Sequence, residues 1–128
     1  MKTLRQNLGR AGEELAVRYL QQKGYEILQR NYRIGKAEID IIALDSDDLV
    51  IAEVKSIHTI RFGRGEEHIT KRKKTMLIMA TYGFLDIFPL PSGKNLRFDV
   101  LVIDFTRFPA GIEHYQGAFW QRTEDLRR

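Results

Sequence analysis

The strongest constraint on how this chain can fold lies between Asp40 and Lys55, where two apolar, β-branched runs carry charges inside them and are joined by a short polar turn. Ile39–Leu44 and Leu49–Val54 read as the arms of an antiparallel hairpin, closed by Asp45-Ser46-Asp47-Asp48. Pairing Leu44 with Leu49 sets a register that brings Asp40 opposite Glu53 and Glu38 opposite Lys55. Side chains alternate across a strand, so these four charged groups are expected on one face. Directly opposed residues have Cβ atoms roughly 4.5–5.5 Å apart, and two carboxylates so placed repel unless a proton or a cation lies between them. A hard divalent cation resolves the conflict.

The rest of the chain supplies elements to pack around that hairpin. Leu8, Gly12, Leu15, Ala16, Tyr19 and Leu20 recur at helical spacing, which predicts a helix from about Leu4 to Lys23, stopped by Gly24. Glu13 lies at the edge of this stripe and can reach the sheet margin, whereas Glu14 projects away from it. Tyr25–Leu28 and Gln29–Ile34 read as extended, with a turn at Gly35-Lys36. Ser56–His68 shows no period and reads as a mobile basic loop. A second helix is expected over about Thr70–Leu85, burying Met76, Leu77, Ala80 and Phe84. Arg97–Phe105 reads as a third central strand, Ile112–Tyr115 as a short strand and Ala118–Trp120 as a helical turn. The expected architecture is α/β, a single domain over residues 1–128 with a mixed central sheet flanked by helices on at least one face. Its core covers about residues 4–120, and the tail Arg122–Arg128 is expected to fray.

Composition narrows the chemistry. With 128 residues, 43% hydrophobic and 30% charged, the chain has the make-up of a soluble globular protein. The absence of Cys excludes disulfides and thiolate metal sites. No run is long enough to span a membrane and the start lacks a signal-peptide pattern, so the cytoplasm is the expected location. A net charge of +4 favours polyanionic partners. No glycine-rich phosphate loop occurs, and serines only at 46, 56 and 92 give a nucleophile triad little support. His58, His68 and His114 lack metal-ligand spacing and are expected in surface or packing roles. Tyr32, Phe62, Phe119 and Trp120 could stack on bases, but aromatic residues in a small domain usually fill its core.

Phosphodiester hydrolysis needs metal-bound oxygen ligands, a nucleophilic water and stabilisation of charge on the phosphate. Asp40 and Glu53 can supply carboxylates to Mg²⁺, with Mn²⁺ as a substitute, while Lys55 can orient or deprotonate water and offset phosphate charge. The spacing matches the Asp…Glu-x-Lys signature of the PD-(D/E)xK nucleases. Further segments widen the match: Gly9-Arg-Ala-Gly12-Glu13-Glu-Leu-Ala16, Asn31-Tyr-Arg33, Glu38-Ile-Asp40, Glu53-Val-Lys55, Lys73 and Arg97-Phe-Asp-Val100. In this order, over about residues 4–105, the chain resembles the YraN family of small bacterial proteins with a restriction-endonuclease-like fold.

The resemblance implies that Glu13 is a helix-borne acidic residue of the site, that Asp40 and Glu53 are metal ligands with Glu13 completing the set, and that Lys55 is the catalytic lysine. Glu38 is expected to support the site by pairing with Lys55. Three positions depart from the pattern: Ala37 stands where Gly is usual, Ile39 replaces the proline of the nuclease motif, and Ile57 stands where Arg is common. Lys71-Arg72-Lys73-Lys74 falls at the start of the second helix, where side chains and helix dipole together would attract a phosphate; for Lys71, Arg72 and Lys74 a solvated basic turn is the equal alternative. Lys73 aligns with the buried face of that helix. A loop bearing Arg61 and Arg64 can close over a nucleic-acid backbone or serve equally as a solvated connection. The expectation is a Mg²⁺-dependent endonuclease-like protein acting on DNA or on branched or RNA-containing nucleic acid. Its rival is a non-catalytic nucleic-acid-binding module with a vestigial site, working in a repair or recombination assembly. No membrane partner is expected, and a homodimer is compatible with the sequence without being demonstrated by any residue.

Overall fold

The computed structural model describes residues 3–59 and 70–119. Thr3 opens helix α1 (Leu4–Gln22) with a capping box, its hydroxyl accepting the Gln6 N–H at 3.2 Å while the Gln6 amide oxygen accepts the Thr3 N–H at 2.9 Å. Gly24 follows the helix at φ 92°, a left-handed conformation that costs glycine little. Ala16, Val17 and Leu20 carry the apolar face of α1 into the core. Gly12 on the same face lies so close to β-sheet residue Ser56 that a Cβ there would fall 2.1 Å from its Oγ.

Strands β1 (Glu26–Ile34), β2 (Ala37–Asp45), β3 (Asp48–Ile57), β4 (Asn95–Asp104) and β5 (Gly111–Phe119) form one sheet in chain order. Helix α2 (Lys71–Ile87) lies between β3 and β4, the parallel pair, and the other neighbours are antiparallel. A parallel pair needs a connection long enough to hold such a helix, and this produces the expected mixed sheet. Both faces are covered. Ile41, Ala43, Val50, Ala52, Leu101 and Ile103 pack with α1, whereas Ile39, Ile42, Leu49, Ile51, Val100 and Val102 pack with α2. Central strands buried on both sides need apolar residues at successive positions, which explains the continuous runs in the sequence.

The hairpin closes in the anticipated register, with Leu44 opposite Leu49 and Asp45 opposite Asp48. Elsewhere the structure corrects the reading. β3 continues to Ile57 and so takes the first residues of the expected loop; Arg61, Arg64, Phe62, His68 and Trp120 lie outside the described residues. Met76 is 37% exposed, while Ile78 and Thr81 join Leu77, Ala80 and Phe84 on the buried face of α2. Thr81 tolerates burial because its hydroxyl donates to the Leu77 carbonyl at 2.7 Å. β5 spans nine residues, and Ala118 and Phe119 remain extended where a helical turn was expected. Phe119 pairs across the sheet with Phe98, their rings stacked at 4.8 Å, and that contact outweighs local propensity.

A buried polar network ties the tip of the hairpin to the last two strands. Arg97 donates to Asp45 at 3.0 Å, to Asp48 at 2.8 Å, to both oxygens of Asp99 at 2.9 and 3.0 Å, and to the Tyr25 hydroxyl at 2.6 Å. Asp99 is fully buried and also meets His114 Nε2 at 2.7 Å and the Gly117 N–H at 3.1 Å. Burial opposes its ionisation, but hydrogen bonds from His114, Arg97 and the Gly117 N–H outweigh this and hold its carboxyl below the usual range. His114 thereby has the packing role expected of it, with Tyr19 and Tyr25 edge-on to its ring.

Candidate functional site

The site begins where the sheet comes apart. β2 and β3 are paired from Asp45–Asp48 as far as Ile41–Ala52. At the next position Asp40 Oδ2 accepts the Val54 N–H at 2.8 Å, so a carboxylate takes up a donor of β3 where the ladder stops. β1 is irregular at the same level. Asn31, flanked by the pairs Arg30–Ile41 and Tyr32–Ile39, has φ 51°, uncommon for a non-glycine residue. Across this point the side chains change faces: Ile41 packs with α1, but Ile39, Tyr32 and Ile34 pack with α2. Strict alternation would put Ile39 and Ile41 on the same face, so it fails at Asp40.

That reversal sorts the charged residues differently from the sequence reading. Glu38 falls on the α1 side, where its cross-strand partner Arg33 pairs with it at 3.2 Å; the expected pairing with Lys55 on a shared face does not form. Glu13 reaches the same place from α1, as anticipated. One carboxylate oxygen each from Glu13, Glu38 and Asp40 lie within 4.8 Å of one another. Glu14, one residue on, instead pairs with Arg30 at 2.8 Å.

Glu53 approaches Asp40 from the other side. With Leu49, Ile51 and Ile57 packed in the α2 cluster, alternation along β3 puts Glu53 and Lys55 on the α2 face as well. Glu53 is 4% exposed; its Oε1 lies 3.3 Å from Lys73 Nζ, while its Oε2 is buried without a hydrogen-bond donor. Lys73 points toward the sheet, as its helical angle predicted. Thr70 caps α2 by accepting the Lys73 N–H at 3.1 Å, and no acidic residue falls in the first turn. Exposed Lys71 and Arg72 therefore stand at the positive end of the helix dipole. Lys55 is half-buried two positions beyond Glu53.

Electrostatics expresses the same crowding. Burial and then the Glu53 charge push the Asp40 carboxyl up to about 8, against a smaller pull from the Val54 N–H. Glu13 is also raised, by burial and by Asp40, with the Asn31 amide opposing the rise. Burial and the neighbouring Glu53 charge thus favour the protonated form of Asp40, a demand that a bound cation would relieve. A hard divalent cation fits the three carboxylate oxygens of Glu13, Glu38 and Asp40; Glu53 is not among the groups that lie within 4.8 Å of one another, and it adjoins this set through Asp40. Asn31 and Arg33 touch this cluster through Glu13 and Glu38, and in the sequence they belong only to the Asn31-Tyr-Arg33 motif. Their spacing in the sequence carries no sign that a left-handed residue would turn the strand there.

Fold and site together define a small α/β protein whose β2–β3 ladder ends beside a half-buried acidic cluster, with Lys55 and Lys73 next to it. The chain belongs to the family described as uncharacterised protein family UPF0102, which it matches over residues 12–103, a stretch that contains Glu13, Asp40, Glu53, Lys55 and Lys73. This is the YraN family to which the motifs pointed. The chain is 41% identical over 113 residues to a UPF0102 protein of Christiangramia forsetii, covering 88% of this chain and 93% of the relative. It is 41% identical over 125 residues to one of Chlorobium phaeobacteroides, covering 93% and 98%. A third, from Flavobacterium psychrophilum, is 39% identical over 114 residues, covering 89% and 94%.

Proposed function

We propose that this protein is a divalent-metal-dependent endonuclease of restriction-endonuclease-like fold, hydrolysing phosphodiesters in DNA or in branched or RNA-containing nucleic acid. The observation that carries the reading is that Asp40 and the nearly buried Glu53 crowd two carboxyl groups together where β2 and β3 part, a pairing that needs a proton or a cation between them. Support for the fold assignment comes from the hairpin that bears Asp40 and Glu53-Val-Lys55, followed by a helix and a parallel strand in a mixed sheet. Asp40, Glu53 and Glu13 would hold Mg²⁺ or Mn²⁺, with Glu38 beside them. Such a cation, when bound, supplies positive charge against the phosphoryl oxygens and makes water more acidic.

The protein's own groups do the remaining work. Lys55 orients the attacking water and offsets charge that develops on the phosphate. Lys73 and Lys71 hold a phosphate at the start of α2, where the dipole adds to their attraction. The backbone contacts carry no base readout, so the reading is one of sequence-independent, salt-sensitive binding. No helix is long and apolar enough to cross a membrane among the described residues; action in the cytoplasm is part of the proposal.

The test is incubation of the protein with single-stranded, duplex and branched DNA and with RNA, in Mg²⁺ or Mn²⁺. Cleavage that requires the metal and is abolished by Asp40→Ala and by Lys55→Ala is expected. One observation favours the rival binding module: Lys73 Nζ already stands 3.3 Å from Glu53 Oε1, a built-in cation at the acidic centre. Salt-dependent binding without cleavage across the whole panel would select that reading.

A further inference from the structure

Beside the acidic centre, between α1 and β1, lies a cleft of about 260 Å³ lined by Arg10, Glu13 and Glu14 from the helix and by Arg30 and Asn31 from the strand. Glu13 belongs to both places, so the cleft adjoins the carboxylate cluster directly. Arg10 stands one helical turn before Glu13 and forms no ion pair among the described residues. Arg30 is held by Glu14 at 2.8 Å, with side-chain exposures of 39% and 49%. A pair that exposed adds little to folding. It does hold a guanidinium in the cleft wall, with an internal anion already on it. The left-handed backbone of Asn31 fixes the third polar group of the cleft in the middle of a strand.

Two guanidinium forks and an amide share this concavity with the carboxylates of Glu13, bonded to Asn31, and Glu14, bonded to Arg30; the Arg30 fork already grips an oxyanion there, and a phosphate presents oxygens of the same kind. We propose that the α1–β1 cleft is a phosphate subsite, in which Arg10, Arg30 and Asn31 take a nucleic-acid phosphate neighbouring the one at the acidic centre; this rests on the nuclease-like reading and extends it. Glu14 is the internal anion that phosphate displaces from Arg30. With Lys71 and Lys73 on the α2 side, the substrate strand is then gripped on both sides of the reacting position, which suits an internal diester of a continuous chain.

The experiment measures binding of the full chain to 3′-labelled single-stranded DNA by fluorescence anisotropy over a range of salt, with Ca²⁺ in place of Mg²⁺. Arg10→Gln and Arg30→Gln are each expected to weaken binding and to reduce the slope of log K against log salt by about 0.7, the value of one phosphate contact on a single strand. Glu14→Gln is expected to tighten binding, and by more than the same neutralisation of exposed Glu26 does, because it removes the carboxylate that competes for Arg30; an equal gain from both variants is the general charge effect and counts against the subsite. Melting curves for all the variants verify folding. Equal losses on 5′-phosphorylated and 5′-hydroxyl strands identify a backbone diester as the ligand, and losses confined to the phosphorylated strand identify a terminal phosphate; both support the subsite. Wild-type binding with unchanged slopes in both arginine variants, or weaker binding by Glu14→Gln, overturns the subsite and leaves the nuclease reading standing. Absence of salt-dependent binding by the wild type overturns both.

Discussion

Asp40→Asn should stabilise the metal-free protein, although it removes a residue from the centre of the site. The new amide is isosteric. Its oxygen can go on accepting the Val54 N–H, and its NH₂ group keeps a donor on Glu53 at every pH, whereas the Asp40 carboxyl supplies one only while it is protonated. Asp40 has its carboxyl raised from 3.8 to about 8, the reverse of the usual carboxylate case, so its effect on stability is a penalty. Below pH 3.8 the group is protonated in both folded and unfolded states and the penalty vanishes. As pH rises, the unfolded chain releases the proton while the folded one keeps it, and the penalty grows until about pH 8. At pH 7 the linkage is worth on the order of 2–4 kcal/mol once local relaxation is allowed for. For a chain of this length each kcal/mol moves Tm by about 3–6 °C. Thermal melts in chelator from pH 4 to 9 should show Asp40→Asn melting at least about 6 °C above wild type at pH 8, with the two converging near pH 4. A variant that melts lower at pH 8, or a gap that does not change with pH, would refute the reasoning.

Other substitutions test the frame around the site. Arg97→Leu leaves fully buried Asp99 without its guanidinium and should cost about 3–5 kcal/mol in chemical denaturation. Asp99 has the opposite pH sign to Asp40: its depressed carboxyl adds stability above the ordinary carboxylate range that is lost as pH falls through its folded value, so acid unfolding should begin there and move to higher pH in His114→Ala. Gly12→Ala gains roughly 1 kcal/mol of helix propensity but its methyl meets Ser56 Oγ, which must turn away, so the gain should appear in full only in Gly12→Ala/Ser56→Ala, melting above the single variant. Thr70→Ala removes the cap of α2 and should cost about 1 kcal/mol in the same measurement.

The sequence disclosed the parts of this structure that rest on local pattern. The register of the β2–β3 hairpin followed from two apolar runs and a four-residue turn, and the reach of Glu13 and Lys73 followed from helical angle. The break at Asn31 and Asp40 did not. Counting alternate residues assumes an unbroken strand, and a left-handed Asn in the neighbouring strand leaves no trace in hydrophobic period. Glu38 was therefore assigned to Lys55 when its cross-strand partner is Arg33. β5 was read as a fragment because Glu113, His114 and Gln116 interrupt its apolar residues, yet His114 is buried by its bond to Asp99. Arg97 joins Tyr25, Asp45 and Asp48, residues too distant in sequence for any spacing rule to connect.

The central claim is that the split between β2 and β3 is a divalent-cation site, and Mn²⁺ binding followed by electron paramagnetic resonance tests it most directly. The account predicts one site per chain in the wild type, lost in Asp40→Asn and in Glu53→Gln while both variants remain folded. Wild-type protein that binds no Mn²⁺, or variants that bind it as tightly as wild type, would contradict it.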